Sequence, residues 1–534
     1  MSISPSVVLH DVSFIWPDGS AALDRVSGAL GRGRTGLIGL NGAGKSTLLR
    51  LIVGELAATS GHVSTTGIVD YLPQHLAVGA GRTLADLLGV RSIVDAIRAV
   101  SLGSVDVALF DRIGDDWDIE ERSVAALADA GLAVTGLDRP ASTLSGGERM
   151  LAALVGVAVR RADIALLDEP TNNLDSDARA RVYDLVRGWR GTLIVVSHDL
   201  TLLELMDDTA ELRAGGLTVF GGPYSEFRAH VEAEQDAALQ ALRSAEQTLK
   251  RERRQRIEAE ERIAHSERQG RKDAVNRKFV PAAINDRRNS AEKSAGARRG
   301  MLDEKVASAR RAVDAADARV RDDDHISIVL PDPGVPTGRR IARLVGADGR
   351  EFVLQGPERV ALTGPNGVGK TTLLRQLVAD ELGAGHPMLP IGESFVPHVG
   401  YLSQHLDALD PAATVLTNVE RVAGGVPTGE LRNRLARLLI RGQMIERPVS
   451  ALSGGERFRA ALAQLLLADP PAQLLLLDEP TNSLDLASVD QLVSAVASYR
   501  GALLVVSHDR AFLDRLGLTA EFRLAHGGIL TKIE

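Results

Sequence analysis

Gly39-Leu-Asn-Gly-Ala-Gly-Lys-Ser46 fits the pattern G-x-x-x-x-G-K-[ST], and its setting decides the fold. An apolar, strand-like run (Thr35 to Leu40) leads into it and a helix-like run (Thr47 to Ile52) follows, which is the context the motif needs. Gly39, Gly42 and Gly44 let main-chain N–H groups around Asn41 turn inward onto phosphate oxygens at a helix start. Lys45 is expected to reach the β- and γ-phosphates, and the Ser46 hydroxyl to hold Mg2+. Strand, phosphate loop and helix in this order predict an α/β fold.

The stretch occurs twice. Gly364-Pro-Asn-Gly-Val-Gly-Lys-Thr371 repeats it, and four further blocks return in the same order. Tyr71-Leu-Pro-Gln74 returns as Tyr401-Leu-Ser-Gln404, and Leu144-Ser-Gly-Gly-Glu-Arg149 as Leu452-Ser-Gly-Gly-Glu-Arg457. Leu166-Leu-Asp-Glu-Pro-Thr-Asn172 returns as Leu476-Leu-Asp-Glu-Pro-Thr-Asn482, and Val196-Ser-His-Asp199 as Val506-Ser-His-Asp509. Self-similarity of this kind means two copies of one domain. The distance from Gln to the following Ser is 71 residues in the first copy (74 to 145) and 49 in the second (404 to 453). The first copy therefore carries about 22 extra residues, expected between Leu88 and Glu121. Boundaries follow: a first domain at 1–228 with that insertion at about 88–121, a linker at 229–325 and a second domain at 326–534.

Asp168 and Glu169 close an apolar strand-like run, as do Asp478 and Glu479. Neighbouring side chains at a strand end point to opposite faces, so the two carboxylates are expected to have separate roles. The first suits Mg2+; the second suits orienting or deprotonating an attacking water. His198 and His508 each follow a second apolar run, and in both copies the position suits contact with a γ-phosphate and that water. Two sites with nucleotide triphosphate chemistry are thus expected, built on Lys45 with Ser46 and Thr47, and on Gly364, Asn366, Gly367, Gly369, Lys370, Thr371 and Thr372.

Composition narrows the class. With no cysteine, disulfides and Cys-ligated metal centres are excluded. No apolar run approaches the roughly 18 residues of a membrane span, and no signal peptide is expected at the start, which suits the cytoplasm. Net charge is −8, yet Lys250 to Arg311 holds 19 Lys/Arg against 10 Asp/Glu, leaving 19 − 10 = +9 there and −17 elsewhere. Within the linker, Leu302, Val306, Ala309, Val313, Ala316 and Val320 step by four and three, as do Ala238, Leu242, Ala245 and Leu249. The pattern predicts an antiparallel helical hairpin with helices of about 35–40 residues, or roughly 50–60 Å. Its basic, irregular tip is expected from Asn276 to Asn289, with Gly270 and Pro281 as interruptions. Arg268, Arg271, Lys272, Arg277, Lys278, Arg287 and Arg288 cluster there and suit phosphate binding; Phe279 is the one aromatic among them.

Taken together, the phosphate loop, the Gln, Leu-Ser-Gly-Gly-Glu, Asp-Glu, Pro-Thr-Asn-x-Leu-Asp and the His resemble an ABC ATPase in each half. The resemblance implies Mg2+ and ATP as ligands, with Gln74 and Gln404 in the metal shell. It also implies that each half completes the other's site. Ser453, Gly454 and Gly455 would cap the nucleotide on Lys45, and Ser145, Gly146 and Gly147 the one on Lys370. A Ser-Gly-Gly ahead of a helix from Arg149 offers a further N-terminus to phosphate. Asp175 and Asp485 would form the loops that cross between halves. Trp16, 29 residues before Lys45, would face adenine; counting back equally from Lys370 reaches Ile341, beside Arg339 and Arg340.

Two such domains around a basic helical linker of roughly 90 residues resemble the ABC-F family along essentially the whole chain, including Gly221-Gly-Pro-Tyr-Ser-Glu-Phe227. Members act on the ribosome as translation factors. By resemblance the linker would meet ribosomal RNA and the P-site tRNA, the insertion would be the family's arm, and the chain would be monomeric with its halves paired. Only 25 residues follow Asp509, which disfavours members with an added C-terminal coiled coil. Arg277-Lys-Phe-Val-Pro-Ala-Ala-Ile284 and Ser294-Ala-Gly296 resemble antibiotic-resistance members slightly more than housekeeping ones. The competing reading is a fused ATPase subunit of an ABC transporter.

Overall fold

The computed structural model describes residues 6–76, 81–213, 216–275, 281–320, 330–378, 390–404, 406–482 and 484–533. It divides into one unit of Met1–Tyr224 with Asp324–Glu534, and a second of Ser225–Asp323.

The first unit contains the repeat as two α/β copies. In the first, six strands run in the order Val69–Leu72, Ile164–Asp168, Thr192–Val196, Gly33–Ile38, Asp208–Arg213, Gly216–Gly221. All neighbours are parallel except the last pair. The second copy repeats the order with Val399–Leu402, Leu474–Asp478, Ala502–Val506, Arg359–Thr363, Ala520–Leu524 and Leu530–Ile533. Every residue of Ile164–Asp168 and Leu474–Asp478 is buried. Strands covered on both faces need apolar residues without alternation, which is why these runs read as continuous Leu, Ile and Val.

A three-stranded antiparallel sheet lies against each copy: Ala21–Leu30, Val7–Ile15 and Ser60–Thr65 in the first, Glu351–Gln355, Arg340–Val345 and Ile391–Ser394 in the second. Between this sheet and the six-stranded one, Leu9, Leu37, Leu48, Leu49, Ile164 and Val196 form one core. The helix Lys45–Ile52 is clamped in that core through Leu48 and Leu49, so the phosphate loop ahead of it starts from a fixed point.

The insertion is two helices. Thr83 bridges Pro140 and Thr414 bridges Pro448, which aligns the copies. After those points, Leu84–Leu87 and Ile119–Asp129 stand where Val415–Glu420 and Thr428–Arg437 stand in the second copy, and Arg91–Ser101 and Val107–Ile113 have no equivalent. Arg98 ties them back, donating to Asp138 at 2.9 Å and to Glu120 at 2.7 Å.

The second unit is a two-helix hairpin, with corrections to the expected one. Its first helix, Tyr224–Val275, has 52 residues and spans about 78 Å at 1.5 Å per residue. Gly270 does not interrupt it: one glycine costs about 1 kcal/mol against alanine, too little to end a helix of this length. Pro281 opens the second helix, Pro281–Asp317, at the one place where a missing N–H costs nothing. Residues 281–289, expected to be irregular, are thus helical. Residues 276–280, which include Arg277, Lys278 and Phe279, lie outside the described residues, as do the side chains of Arg271, Lys272, Arg287 and Arg288. Leu302 and Ala309 are buried, and Val306, Val313, Ala316 and Val320 are half-buried between exposed neighbours. Arg256 of the first helix pairs with Asp303 of the second at 3.3 Å, as an antiparallel pair requires. Among the described residues, no helix is long and apolar enough to cross a membrane.

Candidate active sites

Gly39 and Gly364 show why the loops need glycine. Their φ angles are 153° and 142°, and an added Cβ would sit 2.5 Å from Leu212 O and 2.0 Å from Leu524 O. Gly42, Gly44, Gly367 and Gly369 likewise have positive φ. Behind the loop, Lys45 Nζ donates to Gly39 O at 2.7 Å and Leu40 O at 3.1 Å; Lys370 Nζ makes the same bonds to Gly364 O and Pro365 O. The ammonium groups are therefore held over the loop by main chain.

One cavity of about 550 Å3 gathers Trp16, Asn41, Gly42, Gly44, Lys45, Ser46, Thr47, Gln74, Asp168, Glu169 and His198 from the first half, with Gly454, Thr481 and Leu484 from the second. Residues more than 400 positions apart thus line one site. Ser453 and Ser145 also have a structural role. Each N-caps its helix by accepting from the N–H of Glu456 or Glu148, while that Glu accepts from the Ser N–H. This reciprocal cap explains the Ser-x-x-Glu spacing of the repeated block. The helices begin at Gly146 and Gly454, three residues ahead of the expected start at Arg149, so Gly147 and Gly455 belong to the first turn.

Across to the second loop, the contacts come from Asn173 and Asp175. Asn366 N donates to Asp175 Oδ2 at 3.3 Å, Asn366 Nδ2 to Asn173 O at 3.0 Å, and Gln404 Nε2 to Asn173 Oδ1 at 3.3 Å. Ser145, Gly146 and Gly147 form the cap and first turn of the helix Gly146–Arg160.

The two carboxylates of each Asp-Glu pair do not point to opposite faces. The strand ends at Asp168, and Glu169 turns with φ 50°, as Glu479 does with φ 46°. Alternation stops there, and Asp168 and Glu169 line the same cavity. Tyr71 donates to Asp168 Oδ2 at 3.2 Å and Tyr401 to Asp478 Oδ2 at 3.1 Å, which orients one oxygen and leaves the other directed inward. Thr371 donates to Asp478 Oδ1 at 3.3 Å. Sequence reasoning missed both tyrosines, although each heads a repeated block.

Burial pushes the Glu479 carboxyl up to about 7 against the opposing Lys370 and Arg179 charges, and burial raises Glu169 likewise. Burial, reinforced by Lys370, holds the His508 imidazole down to about 3, so it is neutral near pH 7; His198 is lowered for the same reason. His508 Nε2 lies 3.0 Å from Lys370 Nζ, 3.2 Å from Asn366 Oδ1 and 3.3 Å from Glu479 Oε1. His198 Nε2 lies 3.3 Å from Glu169 Oε1. Beyond that approach, Asp168 Oδ1, Glu169 Oε1 and both His198 nitrogens are buried without a hydrogen-bond partner in the protein. Buried polar atoms without partners are costly, and their convergence with Lys45 and the glycine loop on one cavity fits a polyphosphate with its cation. Among the described residues no three His, Cys, Asp or Glu converge as a metal cage. A hard cation fits instead between the Ser46 or Thr371 hydroxyl, Asp168 or Asp478, and phosphate oxygens, the usual arrangement for Mg2+.

Trp16 stands edge-on to Phe14 at 4.9 Å on the cavity wall. Its counterpart is not Ile341, which is buried in the core. Trp16 N donates to Ser20 O across its hairpin turn, and the residue making that bond in the second copy is Gly346, to Arg350 O. The second hairpin is shorter, so counting back from the lysine overshoots by five residues. Arg340 stacks on Phe395 instead, at 4.9 Å. The second site has no side chain where the first has an indole.

The family model described as ABC transporter matches residues 23–172 and 348–482. The tylosin resistance ATP-binding protein TlrC of Streptomyces fradiae is 33% identical over 96% of this chain and 97% of its own length. ABC transporter F family member 2 of Arabidopsis thaliana is 28% identical over 99% of this chain and 78% of its own. The ATP-binding protein Uup of Escherichia coli is 31% identical over 90% and 74%. Among solved structures, an RNase-L inhibitor superposes with a TM-score of 0.50 over 98% of this chain and 90% of that one at 19% identity, a likeness of fold. On these matches and the paired sites above, the chain belongs to the ABC transporter ATP-binding family, within its ABC-F type, and is an ATPase.

Proposed function

We propose that this ATPase binds the ribosome through the hairpin and acts on translation, protecting it from ribosome-targeting antibiotics. The observation that carries this reading is the hairpin itself. Its 250–311 stretch holds nine more cations than anions in an otherwise acidic chain, on two helices with few aromatics. Such a surface suits phosphate and shape recognition of folded RNA better than base stacking. The resistance part rests on the full-length likeness to the tylosin resistance protein.

In each site the loop glycines and Lys45 or Lys370 bind the triphosphate, and Ser46, Asp168 and Gln74, or Thr371, Asp478 and Gln404, hold the cation. Mg2+ neutralises charge on the phosphate oxygens. Glu169 and Glu479 orient and deprotonate the attacking water, with neutral His198 and His508 beside them. ATP draws the halves together, the paired state binds RNA more tightly, and hydrolysis releases it; a switch can shift only by that difference in affinity.

The test is sedimentation of a Glu169→Gln/Glu479→Gln protein with ATP. It should accumulate in the ribosomal fractions and be lost from them as salt rises. Recovery only in ribosome-free fractions refutes ribosome binding, and recovery with membranes favours a transporter subunit. Expression in a susceptible host against tylosin and other ribosome-targeting drugs tests the resistance part separately.

A further inference from the structure

We propose that Asn173 of the first half is a positioning residue for the second ATP site, where it holds Gln404 and, through Asn366, His508. Part of the contact between the halves is symmetric: Asp175 accepts from Asn366 N as Asp485 accepts from Asn41 N. Just before those aspartates the copies diverge. Pro-Thr-Asn-Asn-Leu-Asp175 carries Asn173 where Pro-Thr-Asn-Ser-Leu-Asp485 carries Ser483, a shorter side chain without an amide. Ser483 itself lies outside the described residues.

Asn173 meets three residues of the opposite half. Its Oδ1 accepts from Gln404 Nε2 at 3.3 Å and from Asn482 Nδ2 at 3.3 Å, and its main-chain O accepts from Asn366 Nδ2 at 3.0 Å. Asn482 N donates to Glu479 O, so Oδ1 links the segment that carries Glu479 to the one that carries Gln404. With Nε2 given to Asn173, Gln404 keeps Oε1 as the end that can meet a cation. The backbone at Asn173 is left-handed, with φ 58°, a conformation that Asn tolerates better than most residues. The direction of its carbonyl depends on that turn.

Asn366 passes the contact on. Its Nδ2 goes to Asn173 O, which turns Oδ1 toward His508 Nε2 at 3.2 Å. Three groups surround that ring nitrogen: Asn366 Oδ1, Glu479 Oε1 at 3.3 Å and Lys370 Nζ at 3.0 Å. The ammonium is a donor and calls for a bare nitrogen, whereas the amide oxygen is an acceptor and calls for N–H. By fixing the amide, Asn173 tips the balance toward Nε2–H, the tautomer that can donate to a phosphate oxygen. In the first site, neither nitrogen of His198 has a hydrogen-bond partner among the described residues, so no such relay sets its tautomer.

The inference rests on the assignment of Glu479 and His508 to the second site, and the experiment separates the two. Single-turnover hydrolysis is compared in Glu169→Gln proteins, where only the second site acts, and Glu479→Gln proteins, where only the first does. Asn173→Val disfavours the left-handed turn and removes the amide. It should lower the second-site rate about ten-fold, the scale of one net hydrogen bond, with little effect on the first. Asn173→Gly keeps the turn and loses only Oδ1, so it should retain most of the rate while the second site needs several-fold more Mg2+. Asn173→Asp keeps both turn and acceptor and should restore both. Ring-nitrogen NMR shifts of histidine-labelled protein, with His508 assigned through His508→Gln, should report hydrogen on Nε2 in wild type and Asn173→Gly, and its loss from Nε2 in Asn173→Val. Equal losses in both backgrounds, as a purely structural residue gives, no loss in either, or an unchanged His508 tautomer overturn the proposal. If Asn173→Val does not fold, the Mg2+ requirement of Asn173→Gly decides, and an unchanged one overturns it. Hydrolysis that persists in Glu169→Gln/Glu479→Gln refutes the base assignment instead, and the tautomer then decides the proposal.

Discussion

The main-chain N–H of Asn41 donates to the Asp485 carboxylate at 2.8 Å, so the first phosphate loop is fastened to the opposite half by a residue 444 positions away. Asp485 also caps its own helix, accepting from Ser488 N at 2.8 Å. Burial works against its charge, yet the bonds from Ser488 and Asn41 hold its carboxyl below the usual range. Asp485→Asn keeps the cap and loses the charge, so it should lower ATP turnover while unfolding near the wild-type temperature. Asp485→Ala loses both and should cost about 1 kcal/mol more in stability. Calorimetry alongside steady-state ATPase assays reads the two effects apart.

Tyr71 and Tyr401 aim Asp168 and Asp478, the aspartates proposed to hold the cation. Replacing either by Phe removes a hydrogen bond to a carboxylate and leaves one oxygen of Asp168 or Asp478 without its donor, at about 1–3 kcal/mol. The expected result is a several-fold rise in the Mg2+ concentration needed for half-maximal ATPase. A titration with Mg2+ at saturating ATP measures it.

On the proposed reading Trp16 stacks on one adenine, and Gly346 offers the other no side chain. Stacking of a base on an aromatic ring is worth about 1–3 kcal/mol, so Trp16→Ala should weaken ATP binding about ten-fold or more in a Lys370→Ala protein. Gly346→Trp should not install a second stack, since its Cβ would meet Asp348 Oδ1 at 2.6 Å and Leu530 N at 3.1 Å. Fluorescent-nucleotide binding to each single-site protein checks both statements.

His508 makes stability depend on pH. Its pKa is about 3 when folded and about 6.5 when unfolded, so the unfolded chain binds the extra proton between those values. The contribution is fully present above about pH 6.5 and is lost as pH falls toward 3, amounting to about 2 kcal/mol at pH 5. Glu479, raised to about 7, responds in the opposite sense, so the readout is the difference between wild type and His508→Gln, both of which carry Glu479. Urea unfolding at pH 7 and pH 5 should show the variant losing less stability than the wild type.

Local chemistry was legible because it is written in short segments. The glycine-lysine loop, the buried Leu and Ile runs ending in Asp-Glu, and the seam at Leu302, Val306 and Ala309 each follow from spacings of a few residues. Backbone sterics and hydrophobic periodicity fix such segments before any tertiary contact forms. The length of the hairpin helices is harder to read from the chain, because a glycine is a weak break and a proline is as good a start as a stop.

Three matters waited for the tertiary structure. Counting along the chain cannot see that one hairpin is shorter than its copy, so the equivalent of Trp16 became visible only through matching hydrogen bonds at Gly346. Strand alternation cannot foresee the left-handed turn at Glu169 that brings both carboxylates into one cavity. And the sequence cannot show that Arg179 and Asp199 meet; only packing sets them 3.7 Å apart with both side chains buried, because burial, not sequence distance, decides which charges must answer one another.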